Sequence, residues 1–277
     1  METGSTPLMH GARDMFTPYA EVRHDRHQED DSTLVYGIRA VSEAILAGKE
    51  VDRLFIQEGL RNELSQELRK LIRENNIQFK VVPAQKIERL APGKNHQGVA
   101  AFISPVAFRK IEEVLPGIFE EGQMPLLLML DRVTDVRNFG AIARTAACAG
   151  VHAIIIPSRG SAPINADAVK TSAGALHTIP VCRADNLKMT IDYLQDSGLK
   201  IIACTEKSST AHFSATLTGP AVIIMGSEDE GISGEYLKRA DILVQIPMKG
   251  NIASLNVSVA TGIILFEILR QRSAINE

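Results

Sequence analysis

The sequence predicts an α/β protein with two units: a small mixed unit, then a larger domain built on a buried parallel sheet. Two observations carry the prediction. Apolar runs at 126–130 (LLLML), 153–156 (AIII), 201–204 (IIAC), 221–225 (AVIIM) and 242–246 (ILVQI) alternate with helical stretches. Such runs suit strands buried on both faces of a parallel sheet, and the alternation suits a doubly wound domain. Upstream, residues 34–104 alternate shorter strands with more charged helices. This gives a leader at 1–31, a small domain at 32–106, a linker at 107–124 and the large domain at 125–277.

The leader is polar and lacks an apolar period. His10, His24 and His27 stand there without cysteine or fixed spacing, so a solvated tail explains them better than a metal site. Val35, Ile38, Val41, Ala44 and Ile45 fall on one helical face that Gly48 ends. A strand follows at Val51–Gln57, an amphipathic helix at 60–75, a strand at 78–83, a short helix at 86–90 and a strand at 99–104. The loop before that last strand gathers Lys94, Asn95, His96 and Gln97. These side chains suit phosphate or base-edge contacts. Equally, the loop reads as a polar turn in which Gly98 supplies a positive φ. Residues 107–124 hold Pro116, two glycines and four glutamates, which reads as a linker with a turn or two of helix. In the large domain the helices fall at 139–149, 166–173, 186–197, 234–240 and 256–272, with 178–181 a weaker strand.

Composition narrows the function. Three cysteines, Cys148, Cys182 and Cys204, are odd in number and form no C-x-x-C pair. That argues against a disulfide framework or a zinc site and for a reducing, cytoplasmic setting. No uncharged apolar run reaches membrane-spanning length, and no secretory h-region is present. The net charge of −3 hides an asymmetry. Residues 32–110 carry 13 basic and 8 acidic residues, whereas 111–277 carry 14 and 18.

Open α/β sheets bind ligands beyond the carboxyl ends of their strands. Three loops at such ends are chemically loaded. The first, after LLLML, runs from Asp131 to Arg144 and contains Arg137, Asn138 and Gly140. Asn138 reads as a helix N-cap, Gly140 permits close backbone approach, and Arg144 offers a planar fork for phosphate or ribose. The second, 226–231 (GSEDEG), sets three acids between two glycines. Clustered carboxylates repel pyrophosphate, and no P-loop lysine follows, so ATP, GTP and dinucleotides are disfavoured. A ligand with hydroxyl, amino or cationic groups fits better. The third, 246–260 (IPMKGNIASLNVSVA), brings Ser254 and Asn256 to a helix start, where Glu228 could accept from Ser254. His152, His177 and His212 lie outside these loops, so no Ser-His-Asp arrangement is evident, and no metal-ligand spacing appears.

Together the motifs N-x-G-x-x-x-R (138–144), G-x-E-x-x-G (226–231) and I-P-M-x-G-x-x-x-S-L-N-V-S-V-A (246–260) resemble those of the SpoU/TrmH group of SPOUT RNA methyltransferases. The stretches YGIRAVSEAI (36–45) and HQGVAA (96–101) resemble the substrate-binding domain that precedes the catalytic domain in many members. The resemblance implies a parallel-sheet domain with a deep trefoil knot and a homodimer; the last helix of this sequence, apolar on more than one side, fits burial both in its own domain and at such an interface. It implies S-adenosylmethionine as cofactor, held near Thr205, Met225, Gly226, Ile246, Met248 and Leu255. It implies catalytic roles for Asn138, Arg144, Glu228, Ser254 and Asn256. RNA contacts are expected from Arg137 and Arg144, and from Lys94, Asn95, His96 and Gln97. The implied reaction methylates a ribose 2′-hydroxyl of structured RNA, foremost a guanosine of 23S rRNA. A tRNA substrate and a non-catalytic RNA-binding or ribosome-assembly factor are the alternatives.

Overall fold

The computed structural model describes residues 33–251 and 254–274, so the expected leader lies outside the described residues. The small domain comprises β1 (Leu34–Tyr36), α1 (Ile38–Leu46), β2 (Val51–Gln57), α2 (Glu63–Glu74), β3 (Phe79–Val82), α3 (Ala84–Leu90) and β4 (Val99–Ile103). Its sheet has the order β1-β4-β2-β3, with β2 parallel to β3 and the other pairs antiparallel. One difference from the sequence reading is β1. Leu34–Tyr36 pairs with β4 rather than opening the first helix. Gly37, at φ 91°, turns the chain between the two, and Val35 met the helical period only by its spacing from Ile38.

The large domain comprises β5 (Phe108–Arg109), α4 (Ile111–Glu120), β6 (Leu126–Leu130), α5 (Val136–Cys148), β7 (Ala153–Pro157), α6 (Ala166–Thr171) and β8 (Val181–Ala184). It continues with α7 (Leu187–Asp196), β9 (Lys200–Cys204), β10 (Ala221–Met225), α8 (Gly234–Leu237), β11 (Ile242–Val244) and α9 (Val257–Ser273). Its seven strands run in the order β11-β9-β10-β6-β7-β8-β5, all parallel. The continuous apolar runs follow from this geometry. Leu126, Leu128 and Leu130 pack into the core under α5 and α9, while Leu127 and Met129 pack under α4 and α7. Successive side chains point to opposite faces, and both faces are covered.

The stretch read as a linker is built into this domain. Phe108 and Arg109 pair with β8, and α4 buries Ile111, Leu115 and Ile118 against the sheet. Its four glutamates are solvent-facing, which hid the apolar stripe between them. The weak strand expected at 178–181 begins only at Val181, because Pro180 lacks the N–H a ladder needs. Parallel strands place all their carboxyl ends on one edge, and the functional loops gather there.

Candidate active site

Asp131, directly after β6, is buried, and its Oδ2 accepts from Ser233 N (2.7 Å). Arg132 follows in the left-handed region at φ 58°. Its Nε donates to Asp131 Oδ1 (3.1 Å), its Nη2 to Gly231 O (3.2 Å), and its Nη1 pairs with Glu230. These contacts strap the 226–231 loop against the strand end. The loop folds tightly on itself: a Cβ at Gly226 would stand 2.1 Å from the Gly231 carbonyl carbon. Only glycine fits there. Sequence reasoning did not single out Asp131 and Arg132, although an aspartate ending a wholly apolar strand is itself a signal, since a buried charge needs partners.

The strapped loop presents Glu228 to the other two motifs. Glu228 Oε1 accepts from Asn138 Nδ2 (3.2 Å), Asn256 Nδ2 (2.6 Å) and Val257 N (3.2 Å). Asn256 Nδ2 also donates to Asn138 Oδ1 (2.9 Å). Three segments far apart in sequence thus close one hydrogen-bonded junction. Two local expectations change. Asp135, not Asn138, is the N-cap of α5, accepting from Asn138 N at 2.7 Å. Asn138 therefore sits inside the first turn with its amide free for the junction. Ser254 is not the donor to Glu228; two amides and a backbone N–H occupy that oxygen instead. Asn256 does cap α9, its Oδ1 accepting from Ser258 N (3.0 Å).

Beside the junction lies a cleft of about 360 Å³ at the ends of β9, β10 and β11. Thr205, Met225, Gly226, Ile246, Met248 and Leu255 all line it, as does Ser254. Glu206, Glu228, Asp229 and Glu230 supply acid, and no lysine or arginine lines it among the described residues. Burial, with Glu206 adding to it, pushes the Cys204 thiol up to about 11, so it stays protonated at neutral pH.

Arg144 and Arg137 stand apart from the junction. Both are exposed on α5, seven residues and so about 10.5 Å apart along one helical face. Neither has a hydrogen-bond partner among the described residues, which leaves both guanidinium groups open to an anion. Gly140 does permit close approach: a Cβ there would meet Ala168 O at 2.8 Å.

In the small domain the Lys94–Gln97 loop divides in two. Gln97 Oε1 accepts from Ile38 N (3.2 Å), and His96 Nδ1 accepts from Gly98 N (3.0 Å) while its Nε2 faces Glu88 (3.0 Å). Those two side chains shape the turn, with Gly98 at φ 77° as expected. Lys94 and Asn95 are exposed and point outward from that frame.

Comparisons with known proteins agree with this layout. Residues 125–266 match the SpoU rRNA Methylase family, and residues 34–109 match the RNA 2′-O ribose methyltransferase substrate binding family. The 23S rRNA (guanosine-2′-O-)-methyltransferase RlmB of Escherichia coli is 36% identical over 244 residues, covering 87% of this chain and all of that one. Among solved structures, an AdoMet-bound rRNA methyltransferase from Sinorhizobium meliloti superposes with a TM-score of 0.55 at 26% identity, covering 87% of this chain and 88% of that one. The A. aeolicus TrmH/SpoU tRNA modifying enzyme superposes with a TM-score of 0.52 at 34% identity, covering 56% and 78%. With its three motif loops closed on one glutamate at a parallel-sheet edge, this chain belongs to the SpoU rRNA methylase family.

Proposed function

We propose that the protein transfers a methyl group from S-adenosylmethionine to a ribose 2′-hydroxyl of ribosomal RNA, at a guanosine of 23S rRNA. The observation that carries this reading is the Glu228 junction beside an acid-lined cleft. The cleft fits the cofactor's chemistry. Met225, Ile246, Met248 and Leu255 offer apolar walls to an adenine, and the surrounding carboxylates favour a cation over a phosphate. S-adenosylmethionine, when bound, supplies a methyl group already activated by its sulfonium.

The protein's own residues then have to position the ribose and stabilise charge on its oxygen. Glu228, Asn138 and Asn256 fix the walls through which the ribose reaches the cleft, and Ser254 completes the rim. Arg144 orients the acceptor nucleotide and stabilises the developing alkoxide, whose proton passes to solvent water, since guanidinium keeps its own proton far above neutral pH and is a poor base. Arg137, on the same helical face, adds a phosphate contact.

The small domain at 32–106 holds the RNA, supported by its excess of basic residues and its family match. The catalytic domain works as a homodimer. Val259 and Phe266, seven residues apart on one face of α9, are each 51% exposed, an apolar stripe suited to a second copy. The return of Asn256 from beyond β11 to Asn138 beside β6 fits a knotted passage across the strand ends. No helix among the described residues is long and apolar enough to cross a membrane. Three free cysteines and a ribosomal substrate support a cytoplasmic setting. Mapping 2′-O-methyl groups in 23S rRNA and tRNA from cells with and without the gene tests the reading. A missing methyl on tRNA alone would move the substrate to tRNA.

A further inference from the structure

The small domain sits on the same edge of the large sheet as the Glu228 junction. Arg183, near the end of β8, reaches across to it. Its Nη2 pairs with Asp52 Oδ1 and its Nη1 donates to Val51 O (3.4 Å). Its guanidinium also lies 3.5 Å from the centroid of the Phe108 ring. The pair is enclosed, with the Arg183 and Asp52 side chains 20% and 5% exposed. Arg53 Nε stands 3.3 Å from the second Asp52 oxygen. A second tie runs from Arg159 Nη2 to Gln78 Oε1 (2.5 Å).

A buried ion pair is a weak source of stability, because desolvation offsets most of its attraction; its best-attested use is to fix one geometry over others. Burial pushes the Asp52 carboxyl above its usual range although Arg183 and Arg53 pull it down. The placement says what geometry is at stake. β8 lies two strands from β6, about 10 Å across the sheet from the strand that leads into Asn138. The exposed Lys94 and Asn95 lie at the opposite end of β2, where Gln57 N donates to Gly98 O (2.7 Å). Six residue steps along β2 separate Val51 from Gln57, about 20 Å.

We infer that the Asp52–Arg183 pair sets the distance between the RNA-facing end of the small domain and the Glu228 junction, and so determines which ribose of the bound RNA is methylated. This rests on the RNA 2′-O-methyltransferase reading above. Both are positioning residues: neither lines the cofactor cleft.

The test uses the full chain, 23S rRNA transcript and labelled S-adenosylmethionine, with the variants Asp52→Asn and Arg183→Gln. By charge alone the first would tighten RNA binding and the second weaken it. The inference predicts the same outcome for both. Methylation at the main nucleotide falls about tenfold or more, mostly in kcat, and new methyl groups appear on neighbouring riboses. Small-angle scattering shows a broader spread of interdomain distances, and cofactor affinity stays at the wild-type value, which shows that the catalytic domain is folded. One methylated nucleotide at wild-type kcat in both variants would overturn the inference, as would opposite shifts in RNA affinity with an unchanged methylation pattern. A wild-type protein that methylates no RNA would instead sink the functional reading, and is seen in its own lane.

Discussion

The cleft proposed for the cofactor and the surfaces proposed to face RNA are built by opposite means. The cleft is made of strand ends, a glycine turn and a hydrogen-bonded junction held by the buried Asp131. Its walls are tied together by contacts within the protein itself. The groups proposed to face RNA, Arg137, Arg144, Lys94 and Asn95, have exposed side chains without partners among the described residues, so they are free to adapt to a partner. A cationic small molecule needs a shaped, water-poor acidic site. A large polyanion is held by many outlying charges and by its own shape.

This contrast can be broken in graded ways. The largest effect is expected from Gly226→Ala, because the added Cβ cannot coexist with the closed loop. Cofactor binding should be lost in calorimetry while the fold, followed by circular dichroism, survives. Cofactor affinity within a few-fold of wild type would show that the cleft is not prebuilt. Next comes Arg144→Lys, which keeps the charge and loses the fork. Turnover should fall about a hundredfold with cofactor affinity retained; near-wild-type turnover would remove Arg144 from the mechanism. Salt should divide the two regions more gently. Between 50 and 200 mM, RNA affinity should drop roughly tenfold or more, while cofactor affinity barely moves.

The smallest effect concerns stability. Arg270 and Gln271 hold the Glu267 carboxyl down at about 2, against a usual 4.5. A depressed acid contributes stability that is present above its unfolded value and lost as pH falls through its folded value. Melting temperature should therefore fall from pH 4.5 towards pH 2, and Glu267→Gln should flatten that part of the profile.

The two regions were also unequally legible. LLLML and its sister runs announced a doubly covered sheet because every position in such strands must be apolar. The third motif read as a ligand loop because no packing period explained it. The residues that the resemblance assigned to the cofactor line one cleft because parallel strands deliver their ends to one edge. What escaped depended on partners distant in sequence. Asp131 and Arg132 acquire meaning only against Gly231 and Ser233. Asp135 and Asn138 compete for one cap, and local sequence does not decide between them. Arg183 is an ordinary basic residue until Asp52 and Phe108 enclose it. α4 was read as linker because Pro116 and four glutamates masked its apolar stripe; Pro116 is tolerated inside the helix.

The central claim is that Glu228 joins three motif loops to make a ribose methylation site. The most direct measurement incubates 23S rRNA with labelled S-adenosylmethionine and either the wild-type protein or Glu228→Ala, then maps 2′-O-methyl groups at nucleotide resolution. The account predicts one methylated guanosine ribose with the wild type, and a rate at least about a hundredfold lower with the variant. Label on a base rather than a ribose, or equal rates for the two proteins, would contradict it.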